Sequence, residues 1–140
     1  MIRRLYIVCA AVATLLTAAS AETDAVVPAE VQTAFEHYVA LPKALLPVLT
    51  SAKDAATAEA AAPALHDLLP RVYDARREIN AISSLPPNVA EAVRLRYEKQ
   101  MRAEWGKVYE QIYRLQRVRC YENVPFFKQF STLCVLLGQQ

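Results

Sequence analysis

The sequence predicts an all-α protein, an up-down-up antiparallel helix bundle of three long helices plus a short C-terminal fourth helix, on three observations. Apolar residues recur at intervals of three and four through nearly all of residues 22 to 140, the period of helices with one buried face. No segment alternates at period two with β-branched residues, as a half-buried strand would. Ser83-Ser84-Leu85-Pro86-Pro87 is the sharpest break in the pattern, because a residue before proline is pushed out of helical geometry.

The first helix is expected from about Pro28, well placed at a first turn, to about Ser51. Val31, Phe35, Tyr38, Leu45, Leu49 and Ala52 form its stripe, and Pro42 and Pro47 should bend it. Asp54 to Thr57 makes the connection, with Thr57 as N-cap. Leu65, Leu68, Val72, Ala75, Ile79 and Ile82 then carry a 3,4,3,4,3 spacing into a second helix, which Pro63 and Pro70 either kink or confine to a regular part from near Pro63. After the proline pair, Asn88 and Glu91 read as a capping box. They open a third helix that runs to Arg119 with Val93, Tyr97, Met101, Trp105, Val108, Ile112 and Leu115 inward. Val124-Pro125 starts the short fourth, through Phe126, Phe127, Phe130, Leu133, Cys134 and Leu137, with Gly138 as its C-cap. Short connections make successive helices antiparallel, with the fourth folded across one end. In that register residue n of the first helix is level with n plus about 64 of the third.

Residues 1 to 21 read as a signal peptide: Arg3 and Arg4, an apolar run from Leu5 to Leu16, and small residues at Ala19 and Ala21, with cleavage after Ala21. The run falls short of a membrane span, so no stable span is expected after cleavage, and residues 22–140 form the bundle domain. The destination is the bacterial periplasm or the exterior. The formal charge of +2 belongs to Arg3 and Arg4, so the mature chain is neutral. Its basic C-terminal half, with Arg114, Arg117 and Arg119, complements its acidic N-terminal half, and no nucleic-acid partner is expected. Cys9 leaves with the signal; Cys120 and Cys134 remain as an even pair in an oxidising compartment, which predicts a disulfide. Closing that loop would stabilise by roughly 3 kcal/mol.

Two glycines leave no Gly-rich phosphate cradle, and three cysteines with two histidines supply no zinc-finger spacing, so neither metal nor cofactor is expected. The candidate nucleophiles Ser51, Ser83, Ser84 and Ser131 have no histidine near them in sequence or register. Glu98, Glu104 and Glu110 alternate with Lys99, Arg102, Lys107 and Arg114 as a solvated helix face does. The expectation is therefore an exported, non-enzymatic helix-bundle protein that acts by protein binding, as an envelope scaffold or chaperone-like surface, on a partner or a second copy of itself. The contact residues expected are Tyr109, Tyr113, Phe126, Phe127 and Phe130, which exceed what one thin core stripe needs. The alternative is a small-ligand or b-type haem carrier, with His37 and Met101 level on facing helices as ligands; an enzyme working on a surface cleft is a third.

Spy-like periplasmic chaperones, also small exported helical proteins, carry a Leu-Thr-x-x-Gln motif. Here Leu49-Thr50 is followed by Lys at 53, so the motif is absent and no residue role carries over. The Ala-rich stretch from Ser51 to Ala61, leading into a long amphipathic helix, resembles segments of short exported bacterial proteins, which implies a helical hairpin and nothing further.

Overall fold

A computed structural model describes residues 26–82 and 84–138. The expected signal segment 1–21, its cleavage point and Cys9 lie outside these residues. Among the described residues the chain is all helical: α1 (Ala29–Ser51), α2 (Ala55–Ala81), α3 (Pro87–Arg117) and α4 (Val124–Leu136), with a tight turn at Arg119–Glu122 between α3 and α4. None of these helices is long and apolar enough to cross a membrane.

α1 begins after Pro28 with Glu30 in its first turn, where a carboxylate complements the helix dipole. Pro42 and Pro47 lie inside the helix without ending it. Pro42 is fully buried, so its ring packs in the core while its missing N–H costs one backbone bond. Near the end of α1 hydroxyls bond back to carbonyls of the preceding turn: Thr50 Oγ1 donates to Leu46 O at 2.8 Å and Ser51 Oγ to Val48 O at 2.8 Å. A third acceptor, Leu49 O, receives Arg114 Nη2 from α3 at 2.8 Å.

The start of α2 differs from expectation. Asp54, not Thr57, is the N-cap: its Oδ1 accepts from Thr57 N at 2.8 Å, and Thr57 Oγ1 accepts from Asp54 N at 3.0 Å. This reciprocal cap starts the helix two turns before Pro63, and both Pro63 and Pro70 remain inside it. Ala58, Ala61 and Ala62 are buried, so the Ala-rich stretch is a small-residue packing face. α3 starts at Pro87 with Pro86 as N-cap, and no side chain caps it. The expected Asn88–Glu91 box does not form because the helix already starts at Pro87, which puts Asn88 inside its first turn; Glu91 pairs instead with Arg94 at 2.6 Å. Arg94 also holds Glu98 at 2.7 Å, so that face of α3 is a solvated ion-pair ladder, as its spacing predicts.

Pairs between α1 and α3 fix their register. Gln32 meets Arg96 (3.3 Å), Phe35 stacks on Tyr97 (5.4 Å between centroids), Tyr38 on Trp105 (4.7 Å), and Leu49 O meets Arg114. The offset is close to the 64 expected. α1 packs on both α2 and α3, and α4 packs along α2 rather than folding across one end. Asn123 Nδ2 reaches Ala55 O (3.3 Å) and Gln129 reaches His66 (3.2 Å), so α4 follows α2 from its start. The main core joins Leu45, Leu49, Leu65, Val72, Ile112, Leu115, Phe126 and Leu133, and a smaller cluster of Val31, Val39, Val89, Val93 and Tyr97 fills the other end of α1 and α3. Met101 touches both clusters, the place for a flexible gap-filling side chain.

The expected disulfide is absent: Cys120 and Cys134 are free, buried thiols. Each fills a core position as a small apolar residue, and neither is carried within bonding reach of the other by the turn between them.

Candidate functional site

The turn after α3 has an unusual backbone. Arg119, Cys120, Tyr121 and Glu122 all have positive φ, from 47° to 57°, and none is glycine. Each such residue costs roughly 1–2 kcal/mol relative to a right-handed conformation, so the surroundings must hold the turn in place. Cys120 is buried, Tyr121 packs on the core, and Tyr121 Oη accepts from Arg114 Nη1 at 2.8 Å. Asn123 then caps α4, its Oδ1 accepting from Phe126 N at 3.0 Å. This left-handed turn sends α4 off along α2, and α3 and α4 diverge from it.

At that divergence lies a cleft of about 440 Å³ lined by Gln116, Arg119, Cys120, Glu122, Val124, Phe127 and Phe130. Phe130 and Cys120 are buried in its wall, whereas Phe127 and Val124 are 53% and 75% exposed. A second, more open depression of about 660 Å³ includes Glu110, Tyr113, Arg114, Gln116 and Arg117, with Tyr113 54% exposed. Gln116 belongs to both, so Tyr113, Phe127 and Val124 surround one corner of the molecule.

The five expected contact residues separate by burial into three groups. Tyr113 and Phe127 are on the surface, as a contact role requires. Phe126 and Phe130 are buried and stack on each other at 6.2 Å, and this corrects their assignment to a contact surface: they are core, because α4 turns that face onto α2. Tyr109 is partly buried against Trp105 at 5.8 Å, and desolvation pushes its phenol pKa upward. Val124, Arg119 and Glu122 went unrecognised in the sequence. Val124 reads as a helix start, and a left-handed turn built without Gly or Asn leaves no mark in composition.

His37 and Met101 are level, yet they do not face one another. His37 is exposed, with Nδ1 2.8 Å from Glu78 Oε2 on α2, whereas Met101 lies between the two core clusters. His37 and Met101 are therefore not brought together as a pair of haem ligands. His37 instead borders a groove of about 340 Å³ with Arg71, Asp74 and Glu78. Among the described residues no group of three His, Cys, Asp or Glu side chains could hold a metal ion. His66 pairs with Gln129, and Ser51 is occupied by Val48 O, so neither forms a nucleophile–base pair. The thiols are unsuited to nucleophilic work: burial, with a smaller contribution from Cys134, pushes Cys120 up to about 11, and burial raises Cys134. No protein-family model matches the chain, and no match to it was found among curated proteins or solved structures.

Proposed function

We propose that the chain is an exported binding protein, with its signal removed after Ala21 and residues 22–140 folded as an up-down-up bundle. It acts as an envelope scaffold or chaperone-like surface and docks a protein partner or a second copy at the α3–α4 corner. The observation that carries this reading is the grouping of Phe127, Val124 and Tyr113, large apolar side chains in solvent, around two adjoining depressions. The three exposed apolar side chains at this corner, rimmed by Arg117, Arg119 and Glu122, have the composition of an interface centre with a polar rim. The parallel pairing of α1 with α3 supports the up-down-up path.

A photo-crosslinking side chain at position 127 or 113 tests the reading in a bacterial periplasm, with the protein made from its own signal. Adducts are expected from both positions, not from position 102 on the ion-pair ladder, and Tyr113→Ala with Phe127→Ala should abolish association without altering the circular dichroism spectrum. Equal adducts from all three positions would sink the idea. The mass of the mature chain reports cleavage in the same preparation.

A second reading, a small ligand in the seam between α1 and α3, has one observation in its favour. Tyr97 Oη and Trp105 Nε1 are buried without hydrogen-bond partners on either side of Met101, and unpaired polar atoms are costly unless something satisfies them. Native mass spectrometry distinguishes it, since a seam ligand adds mass that the double Ala variant retains.

A further inference from the structure

The cleft between α3 and α4 carries more chemical information than an apolar patch. Its wall is apolar, with Cys120 and Phe130 buried and Val124 and Phe127 at the lip. Two opposite charges, Arg119 and Glu122, line it as well, and they form no ion pair with each other. Both stand on the left-handed turn, a backbone state that persists only where surrounding packing enforces it and that gathers at ligand clamps. An α-helical continuation of α3 would set residues 119 and 122 one turn apart on the surface of a straight rod. The reversal instead brings both charges to the mouth of an apolar recess. The volume, about 440 Å³, falls in the range of small-molecule sites and is too small for a folded element.

From this we infer that the α3–α4 cleft binds a monomeric, single-chain zwitterionic amphiphile, of the kind that joins one hydrocarbon chain to a phosphate and an ammonium. The chain lies along Phe130, Val124 and Phe127, the phosphate oxygens accept from the Arg119 guanidinium, and the ammonium sits by Glu122. A guanidinium suits phosphate through its forked donors. The ring face of Phe127 offers the ammonium a second attraction, of the cation–π kind. An uncharged head would leave Arg119 and Glu122 to water and gain neither charge contact, and a purely anionic one would set its charge against Glu122. The inference rests on the α3–α4 corner being a binding site, the surface proposed above, and Tyr113 lies outside this cleft.

The test is isothermal titration of the mature protein with decylphosphocholine below its micelle concentration, with octylphosphocholine and decyl maltoside as comparisons. One saturable site per chain is expected. Shortening the chain weakens binding by up to about fourfold per methylene removed. The sugar head binds about three- to fivefold more weakly than the zwitterion, as for exposed ion pairs. Phe127→Glu should reduce affinity at least tenfold. Arg119→Gln with Glu122→Gln should erase the preference between heads and leave the chain-length dependence intact. Phe127 and both charged residues are exposed, so these variants leave the core untouched. Tyr113→Ala should leave the titration unchanged while reducing protein crosslinking, so failure of the amphiphile site and failure of the docking surface give different patterns. Absence of a saturable site, a head preference that survives the double Gln variant, or binding indifferent to Phe127→Glu would each overturn the inference. Co-flotation with phosphatidylcholine vesicles in place of monomer binding would overturn it too, since it would assign the site to a bilayer.

Discussion

Replacing Arg114 with Met should destabilise the protein by about 3 kcal/mol, because this side chain joins three parts of the fold. Its Nη2 donates to Leu49 O at the end of α1, its Nη1 to Tyr121 Oη in the left-handed turn, and its Nε to Gln111 one turn earlier on α3. A hydrogen bond from a charged donor contributes roughly 1.5–3 kcal/mol, and partial exposure puts each of the two tertiary bonds near the lower figure. The Gln111 contact lies within one helix and adds only ~0.3 kcal/mol. Methionine keeps much of the aliphatic stem, so the loss reports the hydrogen bonds more than the packing. Urea unfolding of the mature chain followed by circular dichroism is the assay, with the midpoint falling at unchanged slope. For a domain of this size the same loss lowers Tm by roughly 10–12 °C. Arg114→Lys should recover about half of the loss, since an ammonium lacks the fork that serves both acceptors. Tyr121→Phe alone should cost ~1 kcal/mol, with coupling to Arg114→Met of similar size. A loss below about 1 kcal/mol for Arg114→Met would refute the view that this residue holds the turn in its left-handed state.

Three further outcomes follow from burial and electrostatics. Phe126→Ala should cost about 3–5 kcal/mol, whereas Phe127→Ala one residue later should stay within about 0.5 kcal/mol; similar losses in chemical denaturation would mean that the faces of α4 are misassigned. Hydrogen bonds from Thr57 hold the Asp54 carboxyl below its ordinary range, so its stabilisation is present above about pH 4, near the unfolded value, and fades as pH falls through the lower folded value. Asp54→Ala should therefore lower the melting temperature at pH 7, with a gap that narrows on acidification; a gap constant with pH would rule out the charged cap. A disulfide-exchange reagent at pH 8 should label neither Cys120 nor Cys134 in the native protein and both in denaturant, since burial raises both thiols. Rapid native labelling would contradict their burial, and no labelling in denaturant would mean that the bridge forms after all.

Periodicity and local stereochemistry make the helical elements legible from the amino acids alone. Apolar intervals of three and four gave the helical class and most of the inward faces, from Leu45 and Leu49 through Trp105 to Leu115, because burial of one stripe is decided by spacing along a single helix. The proline pair at 86–87 placed the reversal, and the α1–α3 register came within a turn of the observed pairs, because helix lengths and short connections leave little freedom. Other features depend on contacts between residues far apart in sequence, which no local pattern records. Prolines that locally should break a helix stay inside α1 and α2, because burial of the apolar stripes around them outweighs the lost backbone bonds; of the four, Pro42 is itself buried and Pro47, Pro63 and Pro70 are exposed. His37 faces Glu78 rather than Met101 because the rotation of α1 is fixed by two neighbouring helices at once, and level positions do not specify facing. Phe126 and Phe127 are alike as letters; which of them meets solvent is set by the direction in which α4 leaves the turn at Arg119–Glu122. That direction is imposed by Arg114, Tyr121 and the buried Cys120. None of these is a turn-forming residue, so the bend that creates the cleft is a tertiary effect, with no local signature to read.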